Sequence, residues 1–210
     1  MPSTGRWETC GQAWLALLRH VWAQGEAGLD ERGPIIEAPS RLFEIAALSP
    51  DDPILREYGK RRLGTASETA KSCWAGRLRE LQGVDQLRWA VEVLRARPWS
   101  TRAWISLTVP GDRAESVPDL IGLGFRIHGT RLVMTAVFRA QDALSAHLSY
   151  VPLRAVQQEA ADRLGLPAGP LRIIVDMPYI YVADADRVAA IIAEAPGGET
   201  SGTSGAAGAA

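Results

Sequence analysis

The sequence predicts a mixed α/β fold, of the α+β kind, in one domain over residues 1–195. Three observations carry that expectation. Two apolar runs flank His128-Gly129-Thr130, a short turn whose glycine permits positive φ, so residues 117–142 form two paired strands. A third apolar run extends from Leu171 to Val182. Segments at 7–24, 85–97 and 143–164 repeat apolar residues every three or four positions, the period of an amphipathic helix.

Taken in order, residues 7–24 form the first helix, with Trp14, Leu17, Leu18, Val21 and Trp22 on one face and Gly25 and Gly28 ending it. Gly33-Pro34 marks a loop within Leu29 to Glu37. Residues 35–48 are extended and half-buried through Leu42, Phe43 and Ile45. Asp51-Asp52-Pro53 opens a helix to Leu63, whose Arg56, Lys60, Arg61 and Arg62 make a solvated basic face. Residues 64–72 are polar and small, hence a loop. Asp85 caps a helix to Arg97 with Leu87, Ala90, Val91 and Leu94 inward, and Pro98 stops it. A strand from Ala103 to Val109 leads to a Pro110-Gly111-Asp112 turn. The helix over 143–164 contains Pro152, which marks a kink or a delayed helix start. After the Leu171–Val182 strand, a short helix spans Asp184 to Glu194. Residues 196–210, rich in Gly, Ala and Ser, cannot build a core and are expected to be disordered.

Composition narrows the function classes. The chain has 210 residues, 47% of them apolar, enough for one substantial core. A net charge of −1 offers no basic field for nucleic acid. No apolar run is long enough to span a membrane, and Met1 to Trp7 lacks the basic-then-apolar order of a signal peptide. The two cysteines, Cys10 and Cys73, make neither a disulfide framework nor a zinc spacing. A cytoplasmic protein is expected.

The stretch Val117-Pro118-Asp119-Leu120, followed by two strands and Phe138-Arg139-Ala140-Gln141-Asp142-Ala143, resembles the core of the thymidylate synthase superfamily, which includes the pyrimidine nucleotide methylases and hydroxymethylases. Compact archaeal, phage and nucleoside-antibiotic members run Pro-Cys-Leu, a strand, a short turn, a second strand, then Phe-Arg-Ser-Gln-Asp-Ala. Asp119 stands where the family has its catalytic cysteine. The interval from Asp119 to Arg139 is 20 residues, as between the family's cysteine and its next phosphate arginine. The resemblance implies a large mixed sheet packed with helices and a sheet-to-sheet homodimer.

The resemblance carries further residues with it. Arg32, in Asp30-Glu31-Arg32-Gly33, matches a loop arginine that binds the substrate's 5′-phosphate. Arg102, in Pro98-Trp99-Ser100-Thr101-Arg102, matches an arginine that reaches the neighbouring subunit's phosphate, with Thr101 replacing the arginine before it. Tyr179-Ile180-Tyr181 replaces a His-Ile-Tyr segment that binds the sugar hydroxyl. Tyr150 stands where an asparagine reads the pyrimidine ring, and Asp142 is kept. Trp74-Ala75-Gly76-Arg77-Leu78 matches a Tyr-Gly-x-Arg-Leu segment by its spacing to Asp85-Gln86, making Trp74 a site residue; Tyr58-Gly59-Lys60-Arg61 matches better by letters. None of Glu37, Glu44 and Glu57 is singled out as the family's catalytic glutamate.

The positions resembling phosphate ligands, Arg32, Arg102 and Arg139, are kept, as are Asp142 and Tyr181, whereas Asp119, Tyr150 and Tyr179 replace residues that handle the base and the covalent step in the family. A thiolate adds to C6 of a pyrimidine and makes C5 nucleophilic, whereas a carboxylate is a poor carbon nucleophile and serves as a general acid or base. The resemblance therefore implies a folate-dependent methyl or hydroxymethyl transferase, using 5,10-methylenetetrahydrofolate on a nucleoside 5′-monophosphate, with Asp119 and Tyr150 catalytic. Antibiotic biosynthesis is a setting that suits these changes. A non-catalytic nucleotide-binding or scaffold homologue, and a nucleotide hydrolase with Asp119 activating water, are the alternatives. The plainest reading of Asp119 is a strand-end carboxylate paired with an arginine.

Overall fold

A computed structural model describes residues 5–46, 51–59 and 74–196. Eight strands form one sheet: β1 Gly5–Trp7, β2 Glu26–Asp30, β3 Gly33–Glu37, β4 Arg41–Ile45, β5 Trp104–Ser106, β6 Leu120–His128, β7 Arg131–Asp142 and β8 Ala168–Tyr181. The helices are α1 Cys10–Gln24, α2 Gln86–Ala96, α3 His147–Leu164 and α4 Ala185–Glu194. Shorter helical turns stand at 53–59 and 74–79. The sheet runs β1-β4-β8-β7-β6-β5, with β3 also on β8 and β2 on β3. The β7–β8 and β1–β4 pairs are parallel and the others antiparallel, so the sheet is mixed. It is a mixed α/β architecture consistent with a thymidylate synthase-like fold.

The elements predicted from local chemistry are present. Gly129 turns β6 into β7 at φ +60, and Leu123, Phe125 and Ile127 face the core opposite Ala136, Met134 and Leu132. Asp85 accepts a hydrogen bond from the Arg88 backbone N–H and caps α2. Thr9 and Gln12 form a capping box on α1. The helix expected over 143–164 starts late, at His147, and Pro152 sits in its second turn, where it removes only one early backbone bond. Gly165, at φ +69, closes that helix.

Three expectations are corrected. The loop read at Gly33-Pro34 belongs to a hairpin, β2 paired with β3, with Asp30 opposite Gly33 across Glu31-Arg32. The Gly-Pro pair serves a two-residue turn here, because Gly33 takes φ +136 and Pro34 lies beyond the stretch of β3 that pairs with β8. The strand expected over 103–109 shrinks to Trp104–Ser106. The helix expected from Asp51 widens into a π-helical turn over Leu55–Gly59, and its remainder, the loop at 64–72, Cys73 and residues 197–210 lie outside the described residues.

All the buried apolar side chains of the four helices join one core with one side of the sheet, including Trp14, Leu18, Leu94, Tyr150, Phe43, Phe125, Met134 and Ile173. The other side carries half-buried Leu42, Thr135, Val137 and Ile174. The Trp104 ring lies across Gly122 and Gly124 on β6, where a Cβ would fall within 2.8 Å of it. Among the described residues, no helix is long and apolar enough to cross a membrane.

β8 exchanges faces part-way along. Leu171, Ile173 and Val175 point into the main core beside β4. Beyond the break, Met177, Tyr179 and Tyr181 pack instead on a second cluster with Ile35 and Ala140, while Ile180 belongs to the core. The strand changes partner over this interval, from β4 to β3. The alternation slips by one residue, which moves a whole set of side chains to the other face. That slip turns two tyrosines toward the end of β7.

Candidate functional site

At the place where β7 and β8 end and β6 begins, six residues singled out in the sequence come together: Arg32, Asp119, Arg139, Asp142, Tyr179 and Tyr181. Arg139 and Asp119 are held by the sheet itself, the Arg139 backbone N–H donating to the Asp119 carbonyl at 2.9 Å. Arg139 Nη2 then donates to Asp119 Oδ1 at 3.0 Å and to the Val117 carbonyl at 3.3 Å, and its Nε donates to the Pro118 carbonyl at 3.3 Å. The two side chains are 45% and 48% exposed, so this ion pair opens to solvent. Burial of the carboxyl raises the Asp119 pKa, and the nearby charges of Arg139 and Arg32 pull against it.

Arg32 reaches this point from the β2–β3 turn. Its guanidinium is held above its ordinary pKa chiefly by Tyr181, against the opposing effect of burial, with Tyr179 and Asp119 adding to the upward shift. The turn is organised by Asp30, whose Oδ1 accepts the backbone N–H groups of Arg32 at 2.8 Å and Gly33 at 3.0 Å. Its Oδ2 accepts the Tyr181 hydroxyl at 2.8 Å. Tyr179 and Tyr181 meet edge to face, ring centroids 5.4 Å apart, with their hydroxyls 3.5 Å apart. Burial and the neighbouring Tyr181 push the Tyr179 hydroxyl well above its usual pKa, so it stays protonated as a donor.

Asp142 lies opposite Tyr179 across β7 and β8. Its Oδ1 accepts the Leu144 N–H at 3.0 Å and its Oδ2 accepts the Ser145 hydroxyl at 2.7 Å. Burial raises its pKa against these hydrogen bonds. Asp142 thereby shapes the exit from β7.

Three sequence-singled residues are not in this cluster. Tyr150 is fully buried in the main core, edge-on to Phe43, and donates to Gln141 Oε1 at 3.0 Å. The spacing after Asp142 is kept, but the side chain fills space under the site instead of facing it. Trp74 is also in the core, 6% exposed. The conspicuous polar group of its segment is Arg77, which forks onto Asp112 at 2.6 and 3.0 Å and ties 74–79 to the loop after β5. Arg102 is exposed just before β5, at the sheet edge, away from Asp119's described partners. Cys10 is buried, and burial pushes its thiol up to about 11, which leaves it inert as a nucleophile. Among the described residues no group of three or more His, Cys, Asp or Glu side chains is placed to hold a metal ion.

Asp30 was not singled out, although its position three residues before Gly33 is the signature of an Asx turn. Asp30→Ala is expected to lower stability by about 1–2 kcal/mol, since two backbone N–H groups and one hydroxyl lose their acceptor. Urea denaturation of the variant checks this; an unchanged midpoint would mean that the turn holds without its carboxylate.

No protein-family model matches the chain. It is similar to three archaeal proteins named "Putative thymidylate synthase". The one from Methanococcoides burtonii is 27% identical over 199 residues, covering 88% of this chain and 92% of that protein. The one from Methanosarcina mazei is 26% identical over 202 residues, covering 89% and 93%. The one from Methanopyrus kandleri is 27% identical over 201 residues, covering 87% and 95%. Over most of its length, therefore, the chain has a thymidylate synthase-like relationship, and its large mixed sheet packed with helices accords with it.

Proposed function

We propose that the protein transfers a one-carbon unit, as a methyl or hydroxymethyl group, to a nucleoside 5′-monophosphate without a cysteine nucleophile. The observation that carries this reading is the convergence of Arg32 and Arg139 on Asp119, beside the Tyr179–Tyr181 pair. Two guanidinium groups suit a phosphate, through charge and paired N–H donors. The tyrosine hydroxyls suit sugar oxygens. Ile35, Met177 and Tyr179 pack together as an apolar cluster beside these charges. The archaeal relatives' name supports one-carbon transfer, and 5,10-methylenetetrahydrofolate is then the second substrate. Asp119 is the group that takes a proton from, or gives one to, the reacting nucleotide.

A homodimer through the side of the sheet opposite the four described helices is part of the same proposal. Leu42, Val137, Ile174 and the half-exposed Trp104 give that side apolar area to bury, and a twofold pairing would set the edge residue Arg102 toward the partner's site. A second reading, nucleotide binding without catalysis, is favoured by the Arg139–Asp119 ion pair, which a purely structural carboxylate would also make.

Calorimetric titration with CMP, dCMP, UMP and dUMP, each with and without a folate analogue, separates the two. One-carbon transfer requires that one nucleotide bind and that the folate analogue tighten it about tenfold or more, a coupling of the usual size between two sites. Binding that the analogue leaves unchanged favours the non-catalytic reading, and no nucleotide binding refutes both.

A further inference from the structure

We infer that Asp119 is the internal occupant of the anion site made by Arg139 and Arg32, so that a bound phosphate or sulfate group displaces its carboxylate and the displaced carboxylate takes up a proton from solvent. The inference rests on the phosphate-site reading of the two arginines and adds to it a built-in competitor. Arg139 is already engaged: its Nη2 holds Asp119 Oδ1 at 3.0 Å, and Nη2 and Nε hold the Val117 and Pro118 carbonyls. The carbonyl contacts orient the guanidinium and leave the carboxylate as the anionic partner that an incoming ligand must replace. Displacement costs little in backbone terms. The Arg139 N–H to Asp119 carbonyl bond fixes the main chain, and the half-exposed Asp119 side chain can turn aside alone without leaving the site.

The charged and titratable groups facing Asp119 are Arg139 from β7, Arg32 from the β2–β3 turn, and Tyr179 from β8. The two arginines are the groups that favour its ionised form, while burial opposes it. An anion paired with both arginines removes that support and places a like charge nearby. The carboxyl pKa in the complex then lies above that in the free protein. The complex binds more protons, so anion affinity rises as pH falls through the interval between the two values and is flat above it. The same exchange brings the carboxyl nearer to the range in which it passes protons at neutral pH.

Inorganic sulfate is the probe, because its charge does not change over the range used. The full chain is titrated calorimetrically between about pH 5 and about pH 8 at constant ionic strength, in buffers of differing ionisation enthalpy. Wild-type affinity for sulfate is expected to rise about tenfold toward the acid end, with net proton uptake. Asp119→Asn is expected to bind sulfate about tenfold more tightly than wild type near pH 8, with the pH dependence gone. A wild-type profile that is flat, or an Asp119→Asn protein that binds no tighter or keeps the wild-type slope, overturns the inference. Asp119→Ser is the second variant if the amide does not fold, and the wild-type series decides by itself if neither does. Sulfate binding with this pattern but no nucleotide binding would refute the proposed function and leave the exchange standing. Nucleotide binding beside pH-independent sulfate binding would do the reverse.

Discussion

Arg139→Ala is expected to weaken nucleoside 5′-monophosphate binding by on the order of 100-fold while leaving the fold intact. Both halves of this result follow from the geometry. Arg139 supplies a guanidinium oriented by two backbone carbonyls, and its removal deprives a phosphate of paired, charge-assisted donors. Its ion pair with Asp119 opens to solvent, and such pairs contribute at most about 1 kcal/mol to stability. Binding loss with a near-unchanged urea midpoint is therefore the signature of a ligand site. Equal binding by wild type and variant would remove Arg139 from the site and leave its pair with Asp119 as a strand-end brace. Arg139→Lys keeps the charge without the planar fork and should fall between the two.

Trp14→Ala is expected to cost about 4–5 kcal/mol, the largest stability change proposed for this protein. Trp14 is 1% exposed in the centre of the core. Its indole Nε1–H donates to the carbonyls of Ala143 at 3.0 Å and Leu144 at 3.1 Å. Truncation leaves a cavity and strips both carbonyls of that donor. These carbonyls directly follow Asp142, so α1 holds the chain where it leaves the site. Trp14→Phe keeps most of the packing and loses the donor, for about 1–2 kcal/mol. Urea denaturation gives both values; a shift below about 1 kcal/mol for Trp14→Ala would mean that the core collapses around the gap.

What the sequence by itself determined is local. The β6–β7 hairpin was legible because period-two alternation and a turn glycine are written within some twenty adjacent residues. The α2 cap at Asp85 and the apolar stripes of α1 and α2 were legible for the same reason, except that Trp22, read on the inward face of α1, is exposed. So was the placement of Asp119, Arg139 and Asp142 at the ends of β6 and β7, because strand ends follow from strand boundaries. The β2–β3 hairpin was not, because Gly33-Pro34 punctuates a loop and a tight turn alike, and only Asp30 and the pairing of β3 with β8 select the turn.

Tertiary structure alone decided which side chains meet. Tyr150 keeps a site residue's spacing, yet the packing of α3 on the sheet sends it into the core against Phe43 and Gln141. Trp74 follows it inward, and the distant Asp112 claims Arg77. The slip in β8 arises where the strand exchanges β4 for β3, a change of partner that Pro178 alone does not specify. Local rules act through near neighbours on one chain, whereas the site is made by contacts such as Asp30 with Tyr181, across the whole fold.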